Sequence, residues 1–474
     1  MNGFVQRLKQ LHLLLGLLVG WLLLLIIFTG SLSFYRAELD NIQLFKFDGA
    51  PEFTSTSAAT ANSVALAQAF LTQQAPAATQ WYIELPQQRK PYLTLHWLQA
   101  AMSGQGATGQ GNSQLYQQLL DAKTGVPITE ALPIKFGATD HQLGGLFFQL
   151  HYNLLQLFGP ISRSLVAYLA LLWLLLSIAG LLSLRGRWRT LWQIKPSPSN
   201  PETARTLRHN QLAVLTLPFA LLFASSGWLT QMFSDNSAPQ RQLYPDNPYQ
   251  FYAELFPPAQ PFAGARQDDP APLPNLAALV ITAEQQLGRP VGKISLTLPG
   301  TAQSTVLLSG SAAAQISNQL PNVLFRFDAS GWQQHQQHQQ HQQHPSEEAA
   351  PVAASLSPIA QIRSVWYGLH QSLYAASWLR FGLFLSGILC CWMIWLGLCS
   401  WLQRQSATYW RQIVLPGTVV AFASFVFGCA LLIAMQLLSH KLLTGYSLLQ
   451  QLLMFTVGTA LLLFSSRWLR IKPS

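Results

Sequence analysis

The sequence predicts an α-helical membrane protein with about six spanning helices and two α+β domains on one side of the membrane. Of its 474 residues 50% are hydrophobic and only 10% are charged, which is more apolar than a soluble chain of this length requires. Long apolar runs alternate with two long polar segments. The basic residues behind the net charge of +10 cluster beside the apolar runs, which argues against a nucleic-acid partner.

Each predicted span is an apolar run that can cross a hydrocarbon core of about 30 Å, which takes about 20 helical residues. The first run lacks a cleavage site of small residues, so we interpret it as a retained anchor rather than a signal peptide. Six spans place both termini on one side. The runs cover residues 12–34, 164–184, 211–231, 379–402, 413–437 and 447–466.

These spans divide the chain into eight segments. The sequence predicts a first span (1–35), an exported α+β domain (36–146), a second span with a pre-helix (147–184), a cytoplasmic loop (185–210), a third span (211–231), a second exported α+β domain with a His/Gln-rich linker (232–362), a fourth span with a pre-helix (363–402) and two C-terminal spans (403–474).

Both exported segments repeat one order of patterns, a helix followed by three strands. A glycine closes the turn after the third strand in each case, Gly125 in the first segment and Gly331 in the second. The duplicated order indicates that one α+β unit is used twice. The predicted helices are Val64–Leu71 and Leu276–Leu287, and the predicted strands are Trp81–Leu85, Tyr92–Trp97, Leu115–Leu120, Ile294–Leu298, Thr305–Leu308 and Val323–Phe327.

The spanning helices are duplicated as well, and each copy carries two histidines. His12 and His209 are both followed 18 residues later by a glycine, Gly30 or Gly227, which comes directly after Thr29 or Ser226. His151 and His370 each lie in a Leu-His-x-x-Leu stretch that leads to Arg163 or Arg380 and then to an apolar run. The chain therefore contains two copies of helix, exported segment and helix, followed by a two-helix tail.

A twofold arrangement of the two copies brings His12 towards His209 at one depth and His151 towards His370 at the other. Two neutral imidazoles at each of two depths suit two b-type haems, which are held without covalent attachment. In the simpler alternative each histidine only contacts headgroups or a backbone carbonyl.

Two further features fit haem sites but have ordinary explanations too. Gly16 and Gly20 share one helical face with His12, which leaves a smooth surface for a porphyrin or for a small-residue helix contact. Arg163 and Arg380 lie near the exported interface, where each either pairs with haem propionates or extends to lipid phosphates.

At these residues the chain resembles the PepSY-associated transmembrane family, which includes iron-regulated inner-membrane ferrisiderophore reductases. The resemblance covers roughly residues 1–402 and rests on Leu11-His12 through Thr29-Gly30, on Phe148 to Leu155, and on the strand and turn that end at Gly125. It implies PepSY-like exported domains, two b-type haems, and transfer of electrons across the membrane to siderophore-bound Fe(III) in the periplasm.

The remaining motifs set limits on this hypothesis. The sequence contains no credible phosphate-binding loop or nucleotide motif, so electrons have to come from quinol or from a separate cytoplasmic reductase. No catalytic side chain is identified. The tract His335 to His344 is either a metal-binding run or a low-complexity linker, while His96 and His141 are interpreted as ordinary packing residues and His440 has no assigned role. The alternative function is that of a membrane-anchored interaction or inhibitor protein without redox chemistry.

Our first prediction is that both termini and the loops 185–210 and 403–412 are cytoplasmic in a bacterial inner membrane. By the positive-inside rule, 13 of the 28 Lys and Arg residues define that side. Reporter fusions measure it, and a periplasm-active reporter that gives signal at 474 but none within 232–362 contradicts it. The 13 residues are Arg7, Lys9, Arg185, Arg187, Arg189, Lys195, Arg205, Arg208, Arg404, Arg411, Arg467, Arg470 and Lys472.

Overall fold

The structure is a computed structural model that divides into two compact units. The bundle unit comprises Met1–Asp48, Asp140–Ser237 and Leu369–Ser474, and the sheet unit comprises Gly49–Thr139 and Ala238–Gly368. Within these bounds it describes residues 3–45, 51–53, 56–99, 114–134, 142–184, 191, 200–232, 269–311, 316, 322–328, 331–335, 358–372, 374–404, 415–438, 450–457 and 459–460.

The bundle unit is built from long apolar helices. The helices are α1 (Gly3–Ser33), α2 (Arg36–Phe45), α4 (Leu143–Asn153), α5 (Ile161–Ser183), α6 (Pro201–Leu215), α7 (Leu217–Met232), the last turn of α9 (Pro358–Gln371), α10 (Ser377–Arg404) and α11 (Leu415–Leu438). Helix α1 packs against α5 within the first copy, and α6 packs against α10 within the second. The two copies meet where α1 packs against α10 and α5 packs against α7, around a common core.

Four helices of the described chain are long and apolar enough to cross a membrane, and a bent pair raises this number to five. The four are Gly3–Ser33, Ile161–Ser183, Ser377–Gln403 and Pro416–Leu438. The chain is therefore a multi-pass membrane protein. The predicted sixth span, 447–466, is described only in part, and residues 450–457 and 459–460 are helical.

The third predicted span is not one straight helix over 211–231. It begins earlier, and the pair Glu202–Leu215 and Leu217–Gln231 meets at an angle of 63°. Pro218 explains the break, because proline has no N–H for the helical hydrogen bond and its ring clashes with the carbonyl four residues before it. Thr216 closes the first half, with its backbone N–H bonded to the carbonyl of Leu212 at 2.8 Å.

The sheet unit contains one eight-stranded antiparallel sheet with the strand order β4-β3-β2-β1-β5-β6-β7-β8. Each half of the sheet follows a helix of the same segment, α3 (Ser57–Gln74) or α8 (Leu276–Leu287), so the two halves have the same topology. The strands are β1 (Gln80–Glu84), β2 (Tyr92–Gln99), β3 (Gln114–Asp121), β4 (Leu132–Ile134), β5 (Val291–Thr297), β6 (Thr305–Gly310), β7 (Asn322–Asp328) and β8 (Gly331–His335).

The two segments that the sequence predicts to be exported do not form two separate domains over 36–146 and 232–362. Strand β1 pairs with β5, and a single core runs beneath both halves, from Val64 and Leu71 of α3 to Val280 of α8. A half sheet on its own exposes the unpaired N–H and C=O groups of its first strand, and pairing of β1 with β5 removes both edges. The first ten helical residues of the first segment, α2, belong to the bundle unit instead.

The described strands match the six predicted ones and add β4 and β8 at the two edges of the sheet. Both additions lack the apolar alternation by which strands are recognised, because β4 contains Pro133 and β8 is rich in glutamine. Edge strands tolerate both, since one side of an edge strand makes no ladder hydrogen bonds. Gly125 and Gly331 both have positive φ, as expected for the two related turns.

The pairing of β1 with β5 generates a prediction for the sheet unit. Tyr82 lies opposite Ser295, between the hydrogen-bonded pairs, where strands approach most closely. A Tyr82→Cys, Ser295→Cys double variant should form a disulfide in an oxidising compartment, detected by mass spectrometry of unreduced peptides. Leu307 lies opposite Ser295 on the next strand, roughly 10 Å from Tyr82. A Tyr82→Cys, Leu307→Cys control is beyond disulfide reach, so equal cross-linking of both pairs contradicts the register.

Candidate functional site: two histidine pairs in the bundle

The structure brings the four predicted histidines together as two pairs. The first pair is His12 of α1 and His209 of α6, with ring centroids 6.4 Å apart and ring planes at 69°. The second pair is His151 of α4 and His370 of α9, with ring centroids 5.9 Å apart and ring planes at 14°. Each pair joins one histidine from each copy of the repeat, so neither copy contains a complete pair.

The two pairs lie at different heights along the bundle. His12 is near the start of α1, whereas His151 is bonded to the carbonyl of Ile26 near the end of the same helix. The helix between positions 12 and 26 rises about 21 Å. This separation is about two thirds of a hydrocarbon core of about 30 Å.

Every imidazole is fixed through Nδ1, and three of the four bonds go to a backbone carbonyl of a neighbouring helix. Because a carbonyl only accepts, Nδ1 carries the proton, and the lone pair of the neutral ring is on Nε2. The contacts are His12 Nδ1 to Leu176 O at 3.1 Å, His151 Nδ1 to Ile26 O at 2.9 Å, His209 Nδ1 to Met393 O at 2.7 Å, and His370 Nδ1 to Ser226 Oγ at 3.0 Å, with the carbonyl of Phe223 also bonded to His370.

A glycine stands against each imidazole, always four residues after the carbonyl that the imidazole contacts. We call each carbonyl with its glycine a histidine socket. A Cβ at Gly30 would lie 2.6 Å from His151 Nδ1, well inside contact distance. The other three would lie 3.2 Å (Gly180 to His12 Cε1), 3.0 Å (Gly227 to His370 Cε1) and 3.0 Å (Gly397 to His209 Cε1) away.

The surroundings keep the second pair uncharged. Burial is the main cause that lowers the pKa of His151, and burial together with the nearby His151 lowers the pKa of His370 to about 3. Neutral imidazole is the form that binds metals. Burial of the second pair therefore favours its metal-binding form.

The geometry of both pairs fits two axial ligands of a haem. With metal–nitrogen distances of about 2.0–2.1 Å, imidazoles on opposite sides of one metal have ring centroids roughly 6 Å apart. A bond from the other ring nitrogen to a carbonyl is the usual support of a metal-binding histidine. Within the described residues no group of three or more His, Cys, Asp or Glu side chains suits a metal ion. A haem needs only two protein ligands, because the porphyrin supplies the others.

The predicted smooth surface beside His12 is only partly present. A Cβ at Gly16 would have no atom within 4 Å, whereas a Cβ at Gly20 would lie 3.2 Å from the side chain of Leu398. Gly16 therefore borders open space next to the first pair. Gly20 instead allows close packing of α1 on α10, which was the alternative explanation for this pair of glycines.

Both predicted arginines have partners in the bundle unit. The guanidinium of Arg380 donates from Nη1 to Glu38 Oε1 at 3.0 Å and from Nη2 to the carbonyl of Ala375 at 3.1 Å. The guanidinium of Arg163 lies over the ring of Tyr152 at 5.4 Å. Arg163 lies in the first turn of α5 and Arg380 in the first turn of α10, each a short distance along the chain after the second-pair histidine of its own copy, so both lie at the second-pair end of their helices.

The position of His151 depends on how the start of α4 is held. Asp40 Oδ1 accepts from the backbone N–H of Gly144 at 2.8 Å, and Gln43 Oε1 accepts from that of Leu143 at 2.7 Å. Both acceptors come from one face of α2 and are buried. They satisfy helix N–H groups that have no partner inside α4, and they fix α4 two turns before His151.

Sequence reasoning missed two of the four glycines and the contact of Ser226. Gly180 and Gly397 both follow the arginine of their copy by 17 residues, counted from Arg163 and from Arg380. This matched offset was a usable signal. The contact of Ser226 was not foreseeable, because Ser226, like the matching Thr29, donates to a carbonyl of its own helix, and only the tertiary structure brings His370 to its oxygen.

Of the other histidines, the structure describes His96 and His335, and both are on strands of the sheet unit. His96 is on β2 in the sheet unit, opposite Gln117 of β3. His335 is the last residue of β8, and the rest of the tract to His344, together with His141 and His440, lies outside the described residues.

A comparison with models of protein families identifies the family of this chain. The model of the PepSY-associated TM region matches residues 9–404, which is more than half of the chain and includes all four histidines and all four socket glycines. The protein belongs to the PepSY-associated transmembrane family, as the sequence resemblance predicted. A comparison with curated proteins found no match. Helix α11 and the helical residues 450–457 follow the matched region.

The cap on α4 generates a stability prediction. Asp40→Ala leaves a buried helix N–H without its charged acceptor, which should cost about 1–3 kcal/mol and lower the unfolding midpoint. Asp40→Asn is the matched control, because its amide oxygen keeps an acceptor for the backbone N–H of Gly144. A thiol-reactive dye measures unfolding, since all four cysteines are buried in this unit. Equal midpoints for the two variants contradict the role of Asp40.

Proposed function

We propose that the protein holds two b-type haems and reduces siderophore-bound Fe(III) on the exported side of a bacterial inner membrane. One observation carries this proposal. The two histidine pairs each have the ring spacing of axial haem ligands, and the Nδ1 atom of every ring is hydrogen-bonded to a neighbouring helix. Family membership supports it, because the family resemblance implies the same cofactor and substrate.

The chain's own residues have defined tasks in this proposal. His12 and His209 present Nε2 to one haem, and His151 and His370 present Nε2 to the other. The socket carbonyls keep the protons on Nδ1, so ligation by Nε2 releases none. A haem held between two imidazoles supplies one-electron chemistry and has no open position for a substrate.

Together with the predicted topology, the two heights of the histidine pairs imply a direction for electron transfer. With the predicted topology, His12 and His209 lie at the cytoplasmic end, where a quinol or a cytoplasmic reductase donates. His151 and His370 lie at the exported end, where the ferric chelate docks. One electron reduces one Fe(III) to Fe(II), and the hard oxygen ligands of a siderophore bind Fe(II) less tightly. Iron is released without breaking a bond of the chelator.

Arg163 and Arg380 are proposed to bind the propionates at the exported end. Guanidinium groups bind carboxylates through two parallel hydrogen bonds. Arg380 already has a carboxylate partner, since its Nη1 donates to Glu38. A propionate at Arg380 therefore has to share or replace Glu38, and a propionate at Arg163 would lie beside the ring of Tyr152.

The test is haem content and chelate reduction in histidine variants. Each of His12→Ala, His209→Ala, His151→Ala and His370→Ala should lose about half of the haem, because alanine leaves no axial donor. Each should also block chelate reduction, since the two sites act in series. Pyridine haemochrome spectra measure haem, and a ferrous trap in reconstituted vesicles measures reduction.

The controls are histidines outside the two pairs. His96→Ala, His440→Ala and deletion of 335–344 should leave haem content unchanged. A colourless wild-type protein from haem-replete cells, or four pair variants with the wild-type spectrum, refutes the proposal. The anchored interaction protein without redox chemistry then becomes the better account.

A further inference from the structure

We propose that Gly30, Gly180, Gly227 and Gly397 are positioning residues that fix the ring planes of the four imidazoles. The fixed planes are crossed in the first pair and nearly parallel in the second. This inference rests on the proposed haem function and adds to it a difference between the two sites that histidine identity alone does not predict.

The rule that unites the four sockets follows from helix geometry. A helical side chain leans towards the N-terminus and covers the turn before its own Cα. The residue at position i+4 therefore covers the carbonyl of residue i. Glycine at i+4 leaves that carbonyl open to an imidazole from another helix. The four pairs of carbonyl and glycine are Ile26 with Gly30, Leu176 with Gly180, Phe223 with Gly227 and Met393 with Gly397.

Each socket also limits rotation of its imidazole. The Nδ1 bond fixes one edge of the ring, and the glycine backbone leaves little room beside it. An added Cβ would lie 2.6 Å from the imidazole at Gly30 and 3.0–3.2 Å from it at the other three glycines, so the ring would have to move. At His370 the hydroxyl of Ser226 adds a further contact to Nδ1. With both elements on rigid helices, the ring plane is set by the crossing of two helices and not by the bound group.

The angle between the two imidazole planes would affect the d-orbital energies of a low-spin ferric haem. Two axial imidazoles with parallel planes act on the same iron d orbital of the near-degenerate pair and split the pair. Crossed planes act on both orbitals alike and leave them close in energy, which makes the magnetic anisotropy larger. Axial ligand geometry is one of the ways in which a protein tunes haem electronics. The two sites should therefore differ although all four ligands are histidine.

The experiment is electron paramagnetic resonance of the oxidised, haem-loaded full chain at low temperature. We expect two low-spin ferric signals in the wild type, a highly anisotropic one from His12–His209 and a rhombic one from His151–His370. His12→Ala should remove the first and His370→Ala the second. Two signals of the same type in haem-loaded protein overturn this inference but leave the proposed function intact, whereas absence of haem refutes the proposed function.

Glycine variants test the sockets themselves. Gly180→Ala and Gly397→Ala should change only the anisotropic signal, and Gly30→Ala and Gly227→Ala only the rhombic one. Gly382→Ala, on the same helix as Gly397 but with no atom within 4 Å of the added Cβ, is the matched control. Ser226→Ala adds no bulk and should shift the rhombic signal even where a glycine variant fails to fold. Unchanged signals in Ser226→Ala and in the folded glycine variants overturn the inference.

Discussion

The hydrogen bond from an imidazole to a helix carbonyl is the interaction on which the bundle site depends. A carbonyl inside an α-helix already accepts a bond from its own helix, and in a bilayer there is no water to serve further polar groups. An imidazole N–H therefore needs a carbonyl that is open at the helix surface. Glycine four residues later supplies that opening, and the combination occurs four times among the residues that the structure describes.

The sockets follow the same scheme in both copies of the repeat. In the first copy, His12 of α1 uses a socket on α5, and His151 of α4 uses a socket on α1. The second copy repeats this scheme, with His209 on α10 and His370 on α7. Each copy thus orients its own histidines. The pairs form only where the two copies meet, so each histidine pair in this chain requires both copies.

In the sheet unit, too, each copy depends on the other, here through strand pairing. Each half sheet has a hydrophobic face covered by its own helix, but its first strand is an open edge. Pairing of β1 with β5 satisfies the backbone groups of both edges and merges the two cores. In both units the second copy supplies what the first lacks, which is the partner strand in the sheet and the second histidine of each pair in the bundle.

The sequence by itself determined the membrane class, the repeat, the four histidines and most of the helices and strands, because hydrophobic periodicity and spacing are local properties of the chain. It also determined which histidines correspond. Only the tertiary structure decided three further features. The two segments predicted to be exported share one sheet. The third span breaks at Thr216, and Gly20 packs on α10. The sockets were likewise hidden, because a carbonyl and a glycine on one helix acquire their meaning from a histidine on another. Ring planes of 69° and 14° come from helix crossings, and no spacing along the chain encodes the angle at which two helices meet.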